Sequence, residues 1–184
     1  RGFNFFKKGQ FEKAISNFNK AIELDPGVTL CYFARGQIYL KKKKIPYDVV
    51  KYEHREKGAE FAASTTGYPL ERTIKTLVVE LDRRSYCLAL LPGDRELDLK
   101  KLASSVGIKR TAMVDIKTAE RLTGYLVGGI SPFGTQQLLV SVMESSILSY
   151  EEIMINAGQR GLMLKMAPGD IVKALDCRVA SIAR

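Results

Sequence analysis

The chain has 184 residues, 46% of them hydrophobic, and a formal net charge of +9. That length holds one good core plus a small appendage, and no apolar run approaches the ~20 residues needed to cross a bilayer, so a soluble, cytoplasmic protein with no membrane partner is expected. A single histidine, His54, excludes a His-rich metal site, and the wide, unpaired spacing of Cys31, Cys87 and Cys177 points to reduced thiols rather than disulfides or zinc. No metal and no cofactor are expected.

The charge is unevenly distributed. Residues 1–44 hold ten Lys and Arg against three Asp and Glu, and the run Lys41-Lys42-Lys43-Lys44 closes that segment. The same segment repeats on itself at a spacing of 34. Arg1-Gly2 recurs as Arg35-Gly36, and Phe5-Phe6-Lys7 as Tyr39-Leu40-Lys41. Gly9, Phe11, Ala14, Phe18, Ala21 and Pro26 follow helical spacing, which predicts an amphipathic helix over 12–24, a stop at Asp25-Pro26-Gly27, and a second helix over 29–43. This resembles one and a half tetratricopeptide repeats, too few to bury a continuous face alone. The second helix is expected to pack on the first and also on the sheet that follows.

Beyond a seam at 41–45 the pattern is a mixed α+β order without βαβ rhythm. Residues 48–53 alternate like a half-buried strand. A helix over 58–64 and a Gly67-Tyr68-Pro69 turn precede a strand over 75–81, which turns through 83–85 into a hairpin partner over 86–91. Helical spacing returns over 97–106, with Asp98 near its start. A short strand over 112–115 and a short helix over 118–122 lead into Gly124-Tyr125-Leu126-Val127-Gly128-Gly129-Ile130-Ser131-Pro132-Phe133-Gly134. Adjacent glycines there let backbone amides approach a ligand with no Cβ in the way, a nest suited to a carbonyl oxygen or an anion. Strands over 138–143, 153–155 and 162–165, a helix over 170–175 and the segment 178–182 complete the chain.

Several motifs occur together in order: Ile45-Pro46-Tyr47, Tyr52-Glu53-His54, Lys75-Thr76-Leu77-Val78, Leu97-Asp98-Leu99-Lys100-Lys101, residues 123–132, and Gly158-Gln159-Arg160-Gly161-Leu162. On these, residues 45–184 resemble the YbaK family of freestanding aminoacyl-tRNA deacylases, related to the editing domain of bacterial prolyl-tRNA synthetases. The resemblance implies a YbaK-like mixed β-sheet or barrel with surrounding helices, preceded by a helical hairpin at 1–43. It also implies trans-editing: hydrolysis of a misacylated tRNA, foremost Cys-tRNA(Pro). Proline and cysteine are similar in size, and a second hydrolytic site makes up for a pocket that discriminates poorly.

The resemblance assigns Lys75, Gly128 and Gly129 to catalysis, the lysine as a cation and the two amides as oxyanion donors. Tyr52 becomes a pocket wall, and His54, Thr123, Gly124, Ile130, Ser131, Pro132, Asn156, Gly158 and Arg160 become substrate-binding positions. No general base stands out, which fits substrate-assisted chemistry by a substrate thiol or a ribose hydroxyl. The implied partners are the tRNA acceptor end, prolyl-tRNA synthetase, and a protein bound by the repeat helices. The competing reading is a non-catalytic adaptor for tRNA or a synthetase. Leu122 and Asn156-Ala157-Gly158-Gln159 depart from the family pattern, and bear on which amino acid is removed rather than on the reaction.

Overall fold

The computed structural model describes residues 1–184, with every side chain except those of Thr29 and Arg83. Three helices come first: α1 (Gly2–Lys7), α2 (Phe11–Leu24) and α3 (Thr29–Lys42). Then follow β1 (Asp48–Lys51), α4 (Ala59–Thr66), β2 (Thr73–Glu80), β3 (Tyr86–Pro92), α5 (Leu99–Val106), β4 (Ala112–Met113) and α6 (Ile116–Thr123). The chain ends with β5 (Val140–Glu144), β6 (Ile153–Asn156), β7 (Leu162–Met166), α7 (Pro168–Leu175) and β8 (Arg178–Ala180).

Local chemistry explains most boundaries. The Asp98 carboxylate accepts from the amides of Lys100 and Lys101 at 2.9 and 3.0 Å, and Asp115 accepts from that of Thr118 at 2.8 Å, so each satisfies donors at a helix start. Asp115 is thus the cap of α6 rather than the end of the expected 112–115 strand, which stops at Met113. The expected strand over 138–143 begins instead at Val140, and the Leu138 side chain projects into solvent.

The eight strands form one mixed sheet in the order β1-β7-β6-β2-β3-β5-β8, with β4 joined to β2. The β2–β3, β6–β7, β1–β7 and β2–β4 pairs are antiparallel; β2–β6, β3–β5 and β5–β8 are parallel. Strand β3 lies inside the sheet with apolar clusters on both faces, Leu88 and Leu90 on one side and Cys87, Ala89 and Leu91 on the other. This accounts for its unbroken apolar run.

Strand β2 is paired unevenly. On one edge β3 pairs with Ile74–Glu80 continuously. On the other, β6 takes only Thr73 and Ile74, and β4 takes only Val79 and Glu80. Among the described residues, 75–78 therefore have no strand partner on that side, which leaves this stretch of the edge open.

Helix α3 contributes to both parts of the chain. Its Ala34 and Ile38 pack with Ala14, Phe18 and Ile22 of α2. Its Leu40 enters the core with Ile74, Leu90 and Met143. Tyr39 Oη and Lys43 Nζ both donate to the Ala174 carbonyl, at 2.6 and 2.7 Å, tying its far end to α7.

One buried carboxylate ties down the C-terminal segment. Glu144, 5% exposed, accepts from the amides of Ile182 and Ala183 at 2.7 and 2.8 Å, from the Ser146 amide at 3.2 Å and from Ser145 Oγ at 3.1 Å. Burial alone would raise its pKa, but these donors outweigh it and hold the carboxyl below its ordinary 4.5. A depressed folded-state pKa stabilises the fold above the unfolded value, and that stability is lost as pH falls through the folded value. Glu144→Gln is expected to cost about 2–3 kcal/mol at pH 7, because it puts an amide among backbone donors. Urea titrations should show wild type and variant converging below about pH 4.5, where the ordinary carboxylate titrates.

Candidate active site

The open stretch of β2 forms the floor of a cavity of about 380 Å³. Lys75, Thr76, Leu77 and Val78 line it from β2, and Lys57 to Glu60 cover it from the start of α4. Met113 to Ile116 and Ala119 close one side, Val127, Gly128 and Ile130 another, and Asn156 stands at the end of β6. Lys75 and Gly128, far apart in sequence, thus share one cavity.

Lys75 is half-buried and its Nζ donates to the Gly93 carbonyl at 3.1 Å. An ammonium has three donors, so two remain for a ligand. Gly128 has φ +93°, which a side chain adopts only with strain, and a Cβ built there would stand 3.1 Å from Lys57 Cγ and 3.4 Å from Arg160 Nε. Among the described residues its amide has no hydrogen-bond acceptor.

The two glycines of the pair are not equivalent. The Gly129 amide donates to the Leu126 carbonyl at 3.0 Å, closing the turn, and the residue is buried against Arg160. That donor is committed to the backbone, so the expectation of two oxyanion amides reduces to Gly128. The turn is clamped at Val127 from both sides: its amide donates to Glu120 Oε1 at 3.0 Å, and its carbonyl accepts from Arg160 Nε and Nη2 at 3.2 and 2.6 Å. Arg160 therefore shapes the turn and is not among the residues lining the cavity.

Other expected substrate positions also lie behind the cavity wall. Thr123 is fully buried, its Oγ1 donating to the Ala119 carbonyl at 2.8 Å and accepting from the Tyr125 amide at 3.1 Å. Gly124 ends α6 in the left-handed region. Ser131 Oγ accepts from the Phe133 amide at 3.2 Å, and Pro132 is buried beside it. At Gly158 a Cβ would fall 2.4 Å from the Tyr125 ring, so the requirement for glycine there is a close approach of chains. These residues position the loop, and sequence motifs cannot separate that role from ligand contact.

Tyr52 and His54 are similarly displaced. Tyr52 packs with Ala62, Met154 and Met163 beneath α4, and its amide donates to the Gly161 carbonyl at 2.9 Å. The His54 ring stands edge-on to Tyr52 and Phe61, with centroids 6.3 and 6.4 Å away. Burial, then the Arg160 and Lys57 charges, hold its pKa below 6.5, which favours the neutral imidazole.

Of the expected substrate positions, Ile130 and Asn156 do line the cavity. Sequence reasoning passed over Thr76, Lys57 and Asp115. Thr76 is the most informative of these, because among the described residues its buried Oγ1 has no hydrogen-bond partner and the residue lines the cavity. An unpaired buried hydroxyl costs about 1–3 kcal/mol. The only sequence signal was its place beside Lys75, where a β-branched residue reads simply as a strand former.

The thiols are not nucleophiles in this setting. Cys31, Cys87 and Cys177 are all buried, and burial pushes Cys87 up to about 11 and Cys177 to about 12. Among the described residues no group of three or more His, Cys, Asp or Glu side chains is placed to hold a metal, and no helix is long and apolar enough to cross a membrane.

Known proteins match this arrangement. The aminoacyl-tRNA editing domain family matches residues 54–174, and the TPR repeat family matches residues 2–43. An Enterococcus faecalis protein named as a Cys-tRNA(Pro)/Cys-tRNA(Cys) deacylase, EbsC, is 33% identical over 145 residues, covering 78% of this chain and 88% of its own. The Escherichia coli multifunctional Ser/Thr-tRNA deacylase ProXp-y is 29% identical over 134 residues, covering 70% of this chain and 80% of its own. A solved structure described as a trans-editing enzyme for prolyl tRNA synthetase shares the fold, with TM-score 0.76 and 23% identity over 83% of this chain and 97% of that one. The chain belongs to the aminoacyl-tRNA editing domain family, and carries a tetratricopeptide-type segment in front of the editing fold.

Proposed function

We propose that the cavity hydrolyses the ester between a wrong amino acid and the 3′ end of a tRNA. The observation that carries this reading is the meeting of the Lys75 ammonium and the uncommitted Gly128 amide in one cavity. The acyl carbon sits over the open stretch of β2. The Gly128 N–H takes the carbonyl oxygen as negative charge develops on it, and the Lys75 cation holds the neighbouring ribose or phosphate and steadies that charge. Water adds to the carbonyl carbon, the C–O bond to the ribose breaks, and the ribose oxygen leaves with a proton. A ribose hydroxyl or the substrate's own thiol moves that proton: the lining offers no histidine, the Asp115 carboxylate is occupied by the Thr118 amide and hydroxyl, and the remaining carboxylate, Glu60, is exposed to solvent at the start of α4.

Cys-tRNA(Pro) is the first substrate to test, in line with the Enterococcus faecalis relative, 33% identical to this chain. Seryl and threonyl esters belong in the same panel, since a relative is named for them. The tRNA acceptor end is the partner, and prolyl-tRNA synthetase is the natural companion, since bacterial proline–tRNA ligases carry related sequence. The test is a deacylation assay over Cys-, Ser-, Thr- and Ala-charged tRNAs: one ester should be cleaved well above the uncatalysed rate, and tight tRNA binding without cleavage of any would replace the hydrolase by an adaptor. Thr76→Val should leave the melting temperature unchanged or higher, since the lost hydroxyl has no partner among the described residues, and a thermal melt checks it.

A further inference from the structure

In the first repeat unit, Gly2 makes room for α2: a Cβ there would fall 2.6 Å from the Phe18 ring. The equivalent glycine 34 residues later, Gly36, meets no repeat helix. A Cβ on Gly36 would stand 3.3 Å from both the Phe133 carbonyl and Tyr125 Oη, and one on Gly134 (φ +66°) would stand 3.0 Å from the Gly36 amide nitrogen. The glycine loop of the editing fold thus occupies the side of α3 on which a repeat would seat its next helix.

The contact is polar as well as close. Arg35 Nη2 donates to the Gly134 carbonyl at 3.1 Å. Tyr125 is fully buried and its Oη donates to the Phe133 carbonyl at 2.5 Å, with the Tyr32 carbonyl of α3 at 3.3 Å. The Tyr32 and Tyr125 rings lie 5.6 Å apart. Arg160, between β6 and β7, grips the same loop at Val127, one residue before Gly128.

We propose that α3 of the N-terminal segment is a positioning element of the active site: Tyr32, Arg35 and Gly36 hold residues 124–134 so that the Gly128 amide faces the cavity. This rests on the hydrolase reading for its catalytic consequence, but the mechanical coupling stands by itself. The repeat segment is then a working part of the editing site, and Arg35 acts through the loop rather than on the substrate.

The test is amide hydrogen exchange on the full chain, read together with deacylation kinetics, for Arg35→Ala, Arg35→Lys and Gly36→Ala. Arg35→Ala should raise exchange several-fold in 124–134 while β2 and β3 keep wild-type protection. In the same variant kcat should fall about 10- to 100-fold with KM little changed, as expected when a positioned group moves by a fraction of an ångström. Arg35→Lys, which keeps a donor, should restore part of both effects, and Gly36→Ala should reproduce them by pushing the loop away. Unchanged exchange in 124–134 for both Arg35→Ala and Gly36→Ala would overturn the proposal. If wild type cleaves no charged tRNA, the hydrolase reading fails, and the exchange data still decide the coupling in the same way.

Discussion

Lys75→Ala is expected to lower kcat/KM for the preferred misacylated tRNA by about 10²–10³, the loss found when one preorganised electrostatic contact to a developing oxyanion is removed. The fold should tolerate the change, because Lys75 contributes one hydrogen bond to the Gly93 carbonyl from a half-buried position. That bond is worth about 1 kcal/mol. Lys75→Met separates charge from bulk: it keeps the apolar stem against the strand and removes only the cation. Single-turnover deacylation of both variants, alongside their thermal melts, makes the check. Wild-type turnover in Lys75→Met would remove the ammonium from the reaction.

Gly128→Ala should cost nearly as much activity by a different route. The φ of +93° penalises any side chain, and the added Cβ meets Lys57 Cγ at 3.1 Å. About 1–2 kcal/mol of strain must be relieved by turning the peptide, and that rotation carries the amide away from the cavity. A fall of about 10² in kcat is expected, together with a stability loss of that size. Gly107→Ala is the matched control: it has φ +77°, open space around its Cβ and a place at the end of α5 outside the cavity lining. It should lose similar stability and keep full turnover. Equal kcat in the Gly107 and Gly128 variants would make the glycine turn structural only.

These two variants also divide what could be read from the chain from what had to be seen folded. Lys75 stood out through the motifs that carry the family resemblance, and Gly128 also because glycines cluster between a helix and a strand. Local pattern likewise gave the hairpin of β2 and β3, the Asp98 cap, the period of 34 and the ordered motifs of the editing family. Each of those signals spans a few residues or a fixed repeat, and short-range sterics and periodicity suffice to write it.

Which glycine amide is free was not legible. A turn closes from Leu126 to Gly129 and leaves Gly128 open, and a run of adjacent glycines permits several such closures. Nor was the demotion of Thr123, Gly124, Ser131, Pro132 and Gly158 from ligand contacts to loop supports, or the rise of Thr76 to the cavity wall. The cavity exists because β6 and β4 each pair with one end of β2 and leave its middle open. Those pairings join residues dozens of positions apart, and their register follows from how all the apolar faces bury at once. The ordered motifs could therefore carry the resemblance to the family, whereas the direction each amide and hydroxyl faces followed from long-range packing, in which α3 takes part.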